Sequence, residues 1–245
     1  MPYRLSVAMI LLAGSAAAIF TTFDKSDARA PRPAAIVTAA SRPVVIELYQ
    51  SQGCSSCPPA NADLNAIAAR DNVLALSFAV TYWDRLGWKD TFGSPRYTAR
   101  QQDYAHAGKG EVATPEFVID GTYAVLGSNR PAIEAAIIKA RAVAAGPAIS
   151  KTSTGIRVDE AATASPAAVW LVRYDPQTRE VPIRAGENGG RTLPHRNIVR
   201  ELVRLGDWDG HASSFALPPA HEGGLMTAVL VQSGRGGAIV SARKL

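Results

Sequence analysis

With two cysteines and four histidines in 245 residues, the chain can build neither a disulfide-stapled scaffold nor a histidine-rich metal tract. Glycine (20) and proline (16) fall well short of a collagenous or low-complexity composition. Charged residues are sparse at 19%, and the net charge of +5 is spread along the chain. No stretch concentrates the positive charge needed to track a phosphate backbone, which argues against a nucleic-acid partner. What is abundant is apolar surface: 47% of residues are hydrophobic, enough for a sizeable buried core. Both cysteines fall in one short stretch, Cys54-Ser55-Ser56-Cys57, which concentrates the chemical question in one place.

At the amino terminus Arg4 precedes an uncharged run, Leu5–Phe23, with the apolar core Val7-Ala8-Met9-Ile10-Leu11-Leu12-Ala13 followed by Gly14, Ser15 and three alanines. This is the order of a secretory signal, with Ala28-Arg29-Ala30 or Ala16-Ala17-Ala18 as cleavage sites. Left uncut, the run is near the minimum length that spans a bilayer. Residues 1–30 are therefore read as a signal peptide or membrane anchor, and residues 31–42, rich in Ala, Pro and Arg, as a linker. The expected location is the periplasm or the exterior, or a tether on the inner membrane.

Beyond Pro43, Val44–Tyr49 reads as a buried strand, and Ala60, Leu64, Ile67 and Ala68 recur at helical spacing behind the cysteines. Pro58 and Pro59 fit the first turn of that helix. Val73–Val80 is a second strand, Ser94-Pro95 opens a second helix, and Glu116–Ile119 is a third strand. Asp120-Gly121 signals a hairpin to Thr122–Leu126, and Ser128 or Asn129 caps a helix bearing Ile133, Ile137 and Ile138. The order is β-α-β-α-β-β-α over residues 43–147. Past Gly146-Pro147, residues 148–245 read as mostly strands, predicting a small all-β, sandwich-like domain. Ile198–Leu205 fits helical spacing as well as alternation and is read as a strand because its neighbours are strands.

A Cys-x-x-Cys pair between a strand and a helix start puts Cys54 where helix N–H groups and the helix dipole favour a thiolate. The thiolate attacks in disulfide exchange, so Cys54 is the expected nucleophile, and Cys57, deeper in the helix and more buried, the resolving thiol. Ser55 and Ser56 can donate to the thiolate. The partners would be protein or small-molecule thiols and disulfides, and no cofactor is required. Two alternatives remain open. One is copper(I) delivery by Cys54, Cys57 and His106; the other is a non-catalytic binding module with a locked disulfide. Zinc would need further ligands that the chain lacks in any second cysteine pair. The direction of electron flow stays undetermined.

The element order, the cysteine pair at the first strand-helix junction and Thr114-Pro115 before the third strand resemble the thioredoxin-like fold. That resemblance implies a cis Pro115 beside the cysteines and Thr114 as a substrate contact. Together with Glu47-Leu48-Tyr49, Gly53-Cys54-Ser55-Ser56-Cys57-Pro58-Pro59, Tyr82–Asp90, Glu187–Arg191 and His195–Arg200, the sequence resembles the DUF1223 family of bacterial secreted proteins. It departs from the family pattern at Ala79 and Thr81, where His and Asp are usual, and at Ala113, often Tyr. If the family's His or Asp relays protons to the cysteines, this chain lacks that relay.

Trp83 and Trp88 follow the second strand, on the side where the cysteines should emerge, and read either as a wall of a substrate groove or as indoles pinning a loop. Arg196, Arg200 and Arg204 would share one face of a strand. Glu187-Asn188-Gly189-Gly190 reads as a turn and no more.

Overall fold

The computed structural model describes residues 1–3 and 42–245. The expected leader and linker lie outside the described residues, their ends aside, and among the described residues no helix is long and apolar enough to cross a membrane.

The protein is mixed α/β. Its first half runs β1 (Val44–Gln50), α1 (Cys57–Ile67), β2 (Val73–Ala79), α2 (Pro95–His106), β3 (Glu116–Ile119), β4 (Tyr123–Leu126) and α3 (Arg130–Arg141). A 3-10 turn, Asp84–Leu86, lies between β2 and α2. Nine strands follow with no further helix: β5 (Ile149–Lys151), β6 (Gly155–Val158), β7 (Ala167–Asp175), β8 (Arg179–Pro182), β9 (Thr192–His195), β10 (Ile198–Trp208), β11 (Ser213–Ala216), β12 (Met226–Ser233) and β13 (Ile239–Lys244).

Each helix starts as its sequence requires. Ser94 and Asn129 accept from the amides of Arg96 and Ala132, and Pro58, Pro95 and Pro131 occupy first-turn positions where no amide is needed. Side chains of β1 alternate between two cores, which is why the whole strand is buried. Val44, Ile46 and Leu48 pack with α1 and α3, whereas Val45 and Tyr49 pack on the opposite face with Tyr97 and Tyr104 of α2.

The boundary expected near residue 147 does not separate two bodies. The described residues from Arg42 onward form one compact unit, and eight strands make one sheet in the order β13-β12-β7-β10-β2-β1-β3-β4. The join is at Ile198, paired in parallel with Ser77. Beside it Asn197 accepts from Ser77 N at 2.9 Å through its carbonyl and donates its side-chain amide to Ala75 O at 2.8 Å. The far edge also returns to the first half, because Asp120 O accepts from Ile239 N at 2.8 Å. Gly121 permits this return: it has φ of +61°, and a Cβ there would strike Gly237 O. Strand periodicity marks strands but not their partners, and β2 offered an open edge that β10 fills.

The sandwich-like expectation survives in a smaller form. A three-stranded sheet, β11-β6-β5, packs on the outer face of β7 and β12, burying Ile156, Val158, Trp208, Val229 and Val231. Strands β8 and β9 form a separate two-stranded ribbon.

Candidate functional site

The cysteines lie where β1 gives way to α1. Gln50–Ser56 form a tight loop in which Cys54 N donates to Ser51 O (3.1 Å), and Cys57, the first residue of α1, donates its amide to Cys54 O (3.2 Å). A disulfide joins Cys54 and Cys57, with Cα atoms 5.4 Å apart. Of the amides that a helix start normally leaves free, Pro58 and Pro59 remove two and Cys57 is engaged. The positive end of α1 therefore acts on Cys54 with few direct donors. The nearest polar neighbours of Cys54 Sγ are Ser56 Oγ at 3.3 Å and Thr114 O at 3.8 Å. Ser55, expected to share that role, instead donates its hydroxyl to Glu187 at 2.7 Å.

Thr114 reaches the cysteines through two supports. Trp83 Nε1 donates to Thr114 Oγ1 (2.7 Å), and Gln101 of α2 donates to Ala113 O (2.7 Å) and to the buried Glu116 carboxylate (2.8 Å). Burial pushes the Glu116 carboxyl upward. The Thr114-Pro115 bond is cis, and Pro115 is buried. Trp88 Nε1 donates to Gln52 Oε1 at 2.9 Å. Both indole N–H groups are thus spent inside the protein, which favours the pinning role for Trp83 and Trp88. Asp90 completes the support: it accepts from Gln52 N (2.7 Å) and Phe92 N (2.9 Å), and burial pushes its carboxyl up to about 6.

Several expectations fail. Cys57 was expected to be the more buried sulfur, but Cys54 and Cys57 are both wholly inaccessible, at 0% exposure. The β8–β9 connection, read from the sequence as a turn and no more, is bonded onto the cysteine loop. The buried Asn188 side chain donates to Gln52 O (2.9 Å) and Cys54 O (2.8 Å), and Arg191 fixes the amide by donating to Asn188 Oδ1 at 2.8 Å. Its exposed neighbour Glu187 accepts from Ser55 N (3.1 Å) and Ser55 Oγ (2.7 Å), and these two bonds hold its carboxyl below the ordinary range. The sequence contained both polar residues, but nothing in a Gly-rich turn shows which surface it packs against.

His106 stands apart. It is exposed at the end of α2, and no group of three or more His, Cys, Asp or Glu residues is placed to hold a metal among the described residues, so the set Cys54, Cys57 and His106 is not assembled. Arg196, Arg200 and Arg204 do not share one strand face either, since Arg196 precedes β10 and donates to Pro176 O. A bulge between Val199 and Glu201 shifts the alternation; Arg200 pairs with Glu222 and Arg204 with Asp207.

The family model for a protein of unknown function, DUF1223, matches residues 45–232. The chain belongs to the DUF1223 family. The matched span runs from β1 to β12, so the cysteine loop and the Glu187–Asn188 clamp both lie inside the DUF1223 region. An X-ray crystal structure of an Agrobacterium tumefaciens protein is similar at 28% identity and a TM-score of 0.68, over 82% of this chain and 93% of that one. HBP35 of Porphyromonas gingivalis is similar in fold, at 14% identity and a TM-score of 0.54, over 84% of this chain and 75% of that one. Among curated proteins there is no match.

Proposed function

We propose that this DUF1223 protein is an exported thiol–disulfide oxidoreductase with a thioredoxin-like first half, using Cys54 as nucleophile and Cys57 as resolving thiol. The observation that carries the reading is the position of the pair. A disulfide closes between the end of a central strand and the first residue of a helix, with Ser56 Oγ and Thr114 O as the nearest polar neighbours of Cys54 Sγ. The order β-α-β-α-β-β-α and the resemblance of the cysteine and Thr114-Pro115 segments support the fold assignment. The Arg4–Phe23 segment supports export to the periplasm or beyond, or a membrane tether.

In the reduced protein the Cys54 thiolate attacks one sulfur of a partner disulfide, and the other partner sulfur leaves as a thiolate that takes a proton from water. Cys57, deprotonated, then attacks Cys54 Sγ in the mixed disulfide and expels the second partner sulfur. Two electrons pass to the partner and the Cys54–Cys57 bond forms. The reverse sequence oxidises a partner dithiol. Because Cys54 has no exposed surface in the oxidised form, a partner thiolate reaches it only when a covering segment moves. The Glu187–Ser55 contact, open to water, is the part of the cover that gives way first.

Equilibration with glutathione buffers, followed by alkylation and mass spectrometry, tests this. A reversible couple above about −300 mV, with a Cys57→Ser variant that accumulates a mixed disulfide on Cys54, is expected. A pair that stays oxidised far below that potential and a Cys57→Ser variant that traps nothing would identify a structural staple.

A further inference from the structure

A cavity of about 770 Å³ lies on the α2 face of the main sheet, floored by β7, β10 and β12. Neither cysteine nor any residue of their loop lines it. Its size is that of a small-molecule pocket. One side is apolar, with the face of Trp170 beside Pro166, Ala168 and Leu202. Its charged side chains are Arg96, Arg100, Arg204 and Arg235 with Asp103 and Asp207, and Arg100 is balanced from beneath by the buried Glu47, which leaves Arg96 as the excess charge.

Arg100 is built into the floor. It is 5% exposed and spends three donors internally, Nε on Glu47 Oε1 (2.8 Å), Nη1 on Gln232 Oε1 (2.9 Å) and Nη2 on Tyr104 Oη (3.1 Å). A guanidinium carries five N–H groups, so two remain. The same guanidinium lies 5.5 Å from the centre of the Trp170 ring, which holds that ring in place as the apolar wall. Arg204 and Arg235 are each matched by one aspartate, Asp207 and Asp103. Arg96 forms no ion pair among the described residues. The residual charge at the mouth is positive, while the interior wall is apolar.

We propose that this cavity is a binding site for an amphipathic carboxylate, a medium-chain monocarboxylic acid whose chain lies along Trp170 and Leu202 and whose head meets Arg96 and the spare N–H groups of Arg100. A neutral ligand of the same shape leaves the cationic mouth uncompensated, and a small inorganic anion leaves the apolar wall wet. The site stands independently of the cysteine chemistry.

Calorimetric titration of the full chain with decanoate, below its micellar concentration, and with decanol as the neutral counterpart, tests the site. One saturable site is expected, with decanol about tenfold weaker. Arg96→Ala should weaken decanoate about threefold, as befits an exposed charge, without changing decanol. Ala99→Trp, at an exposed α2 position in the cavity wall, should abolish binding of both while the circular dichroism spectrum is retained. Equal binding of decanoate and decanol would overturn the carboxylate assignment. Absence of saturable binding, or unchanged binding in folded Ala99→Trp, would overturn the site. Cys57→Ser should bind decanoate as the parent does, which separates this result from any failure of the redox reading.

Discussion

Asn188 donates its side-chain amide to the main-chain oxygen of Cys54 at 2.8 Å, across 134 positions of sequence. A residue of the β8–β9 connection thereby ties down the cysteine loop. The same amide reaches Gln52 O, so one buried side chain satisfies two carbonyls that water cannot. The carboxy-terminal half is in this respect part of the cysteine site.

Asn188→Ala should cost about 1–3 kcal/mol in urea denaturation, because the buried Gln52 carbonyl loses its side-chain donor and Cys54 O keeps only the Cys57 amide. It should also speed reduction of the Cys54–Cys57 bond by dithiothreitol by about tenfold, if opening of the cover limits access. A destabilised variant with an unchanged reduction rate would make Asn188 a structural support and not a gate.

The Glu187 carboxyl is held low by the Ser55 hydroxyl and amide, so the contact is intact above the ordinary carboxylate range and is lost as pH falls through the lowered value in the folded protein. Reduction by a phosphine, which does not need a thiolate, should therefore accelerate as the solution is acidified through that range. In Glu187→Ala the rate should already be high at neutral pH and flat with acid. Stopped-flow detection of the released thiols reads both.

The buried pair Arg100–Glu47 joins α2 to β1, and Arg100 also reaches Gln232 of β12. Arg100→Met leaves Glu47 charged and enclosed, and should cost about 3–5 kcal/mol by denaturant unfolding. Adding Glu47→Leu should restore a large part of that loss, since the penalty arises from an unpaired charge. No recovery in the double variant would place the cost in packing around Tyr104 and Phe78.

His195 is buried beside Phe92 with neither ring nitrogen hydrogen-bonded among the described residues, and burial lowers its pKa from 6.5 to about 4. The unfolded chain binds the extra proton first, so the stability that neutral His195 contributes is complete above pH 6.5 and lost as pH falls towards about 4. Asp90, raised from 3.8 to about 6, acts in the opposite sense: its contribution is present below 3.8 and lost as pH rises towards 6. The two oppose each other over much of that window. The difference between parent and His195→Phe stability curves isolates the histidine, and should rise by about 1–3 kcal/mol between these limits as pH falls.

The first half of the fold was legible because its signals are local. Apolar runs, Pro58-Pro59, Pro95 and the Asp120-Gly121 turn each specify an element without reference to distant chain, and the cysteines sit at the junction those elements define. Ile198–Leu205, equivocal in periodicity, is a strand because its backbone is paired with both β7 and β2. What the sequence withheld is non-local. The pairing of Ile198 with Ser77 merges the two halves, and Glu187 and Asn188 bond onto the loop that carries Cys54. A polar turn and a strand edge carry no mark of the partner they meet.

The central claim is that Cys54 is an accessible thiolate once the disulfide is opened. Reduced, folded protein treated with iodoacetamide over a range of pH, with each cysteine quantified by mass spectrometry, measures this directly. The account predicts preferential modification of Cys54, with a rate midpoint below the value of about 8.5 for a free cysteine. Protection of Cys54 in the folded state, or modification of Cys57 first, would contradict it.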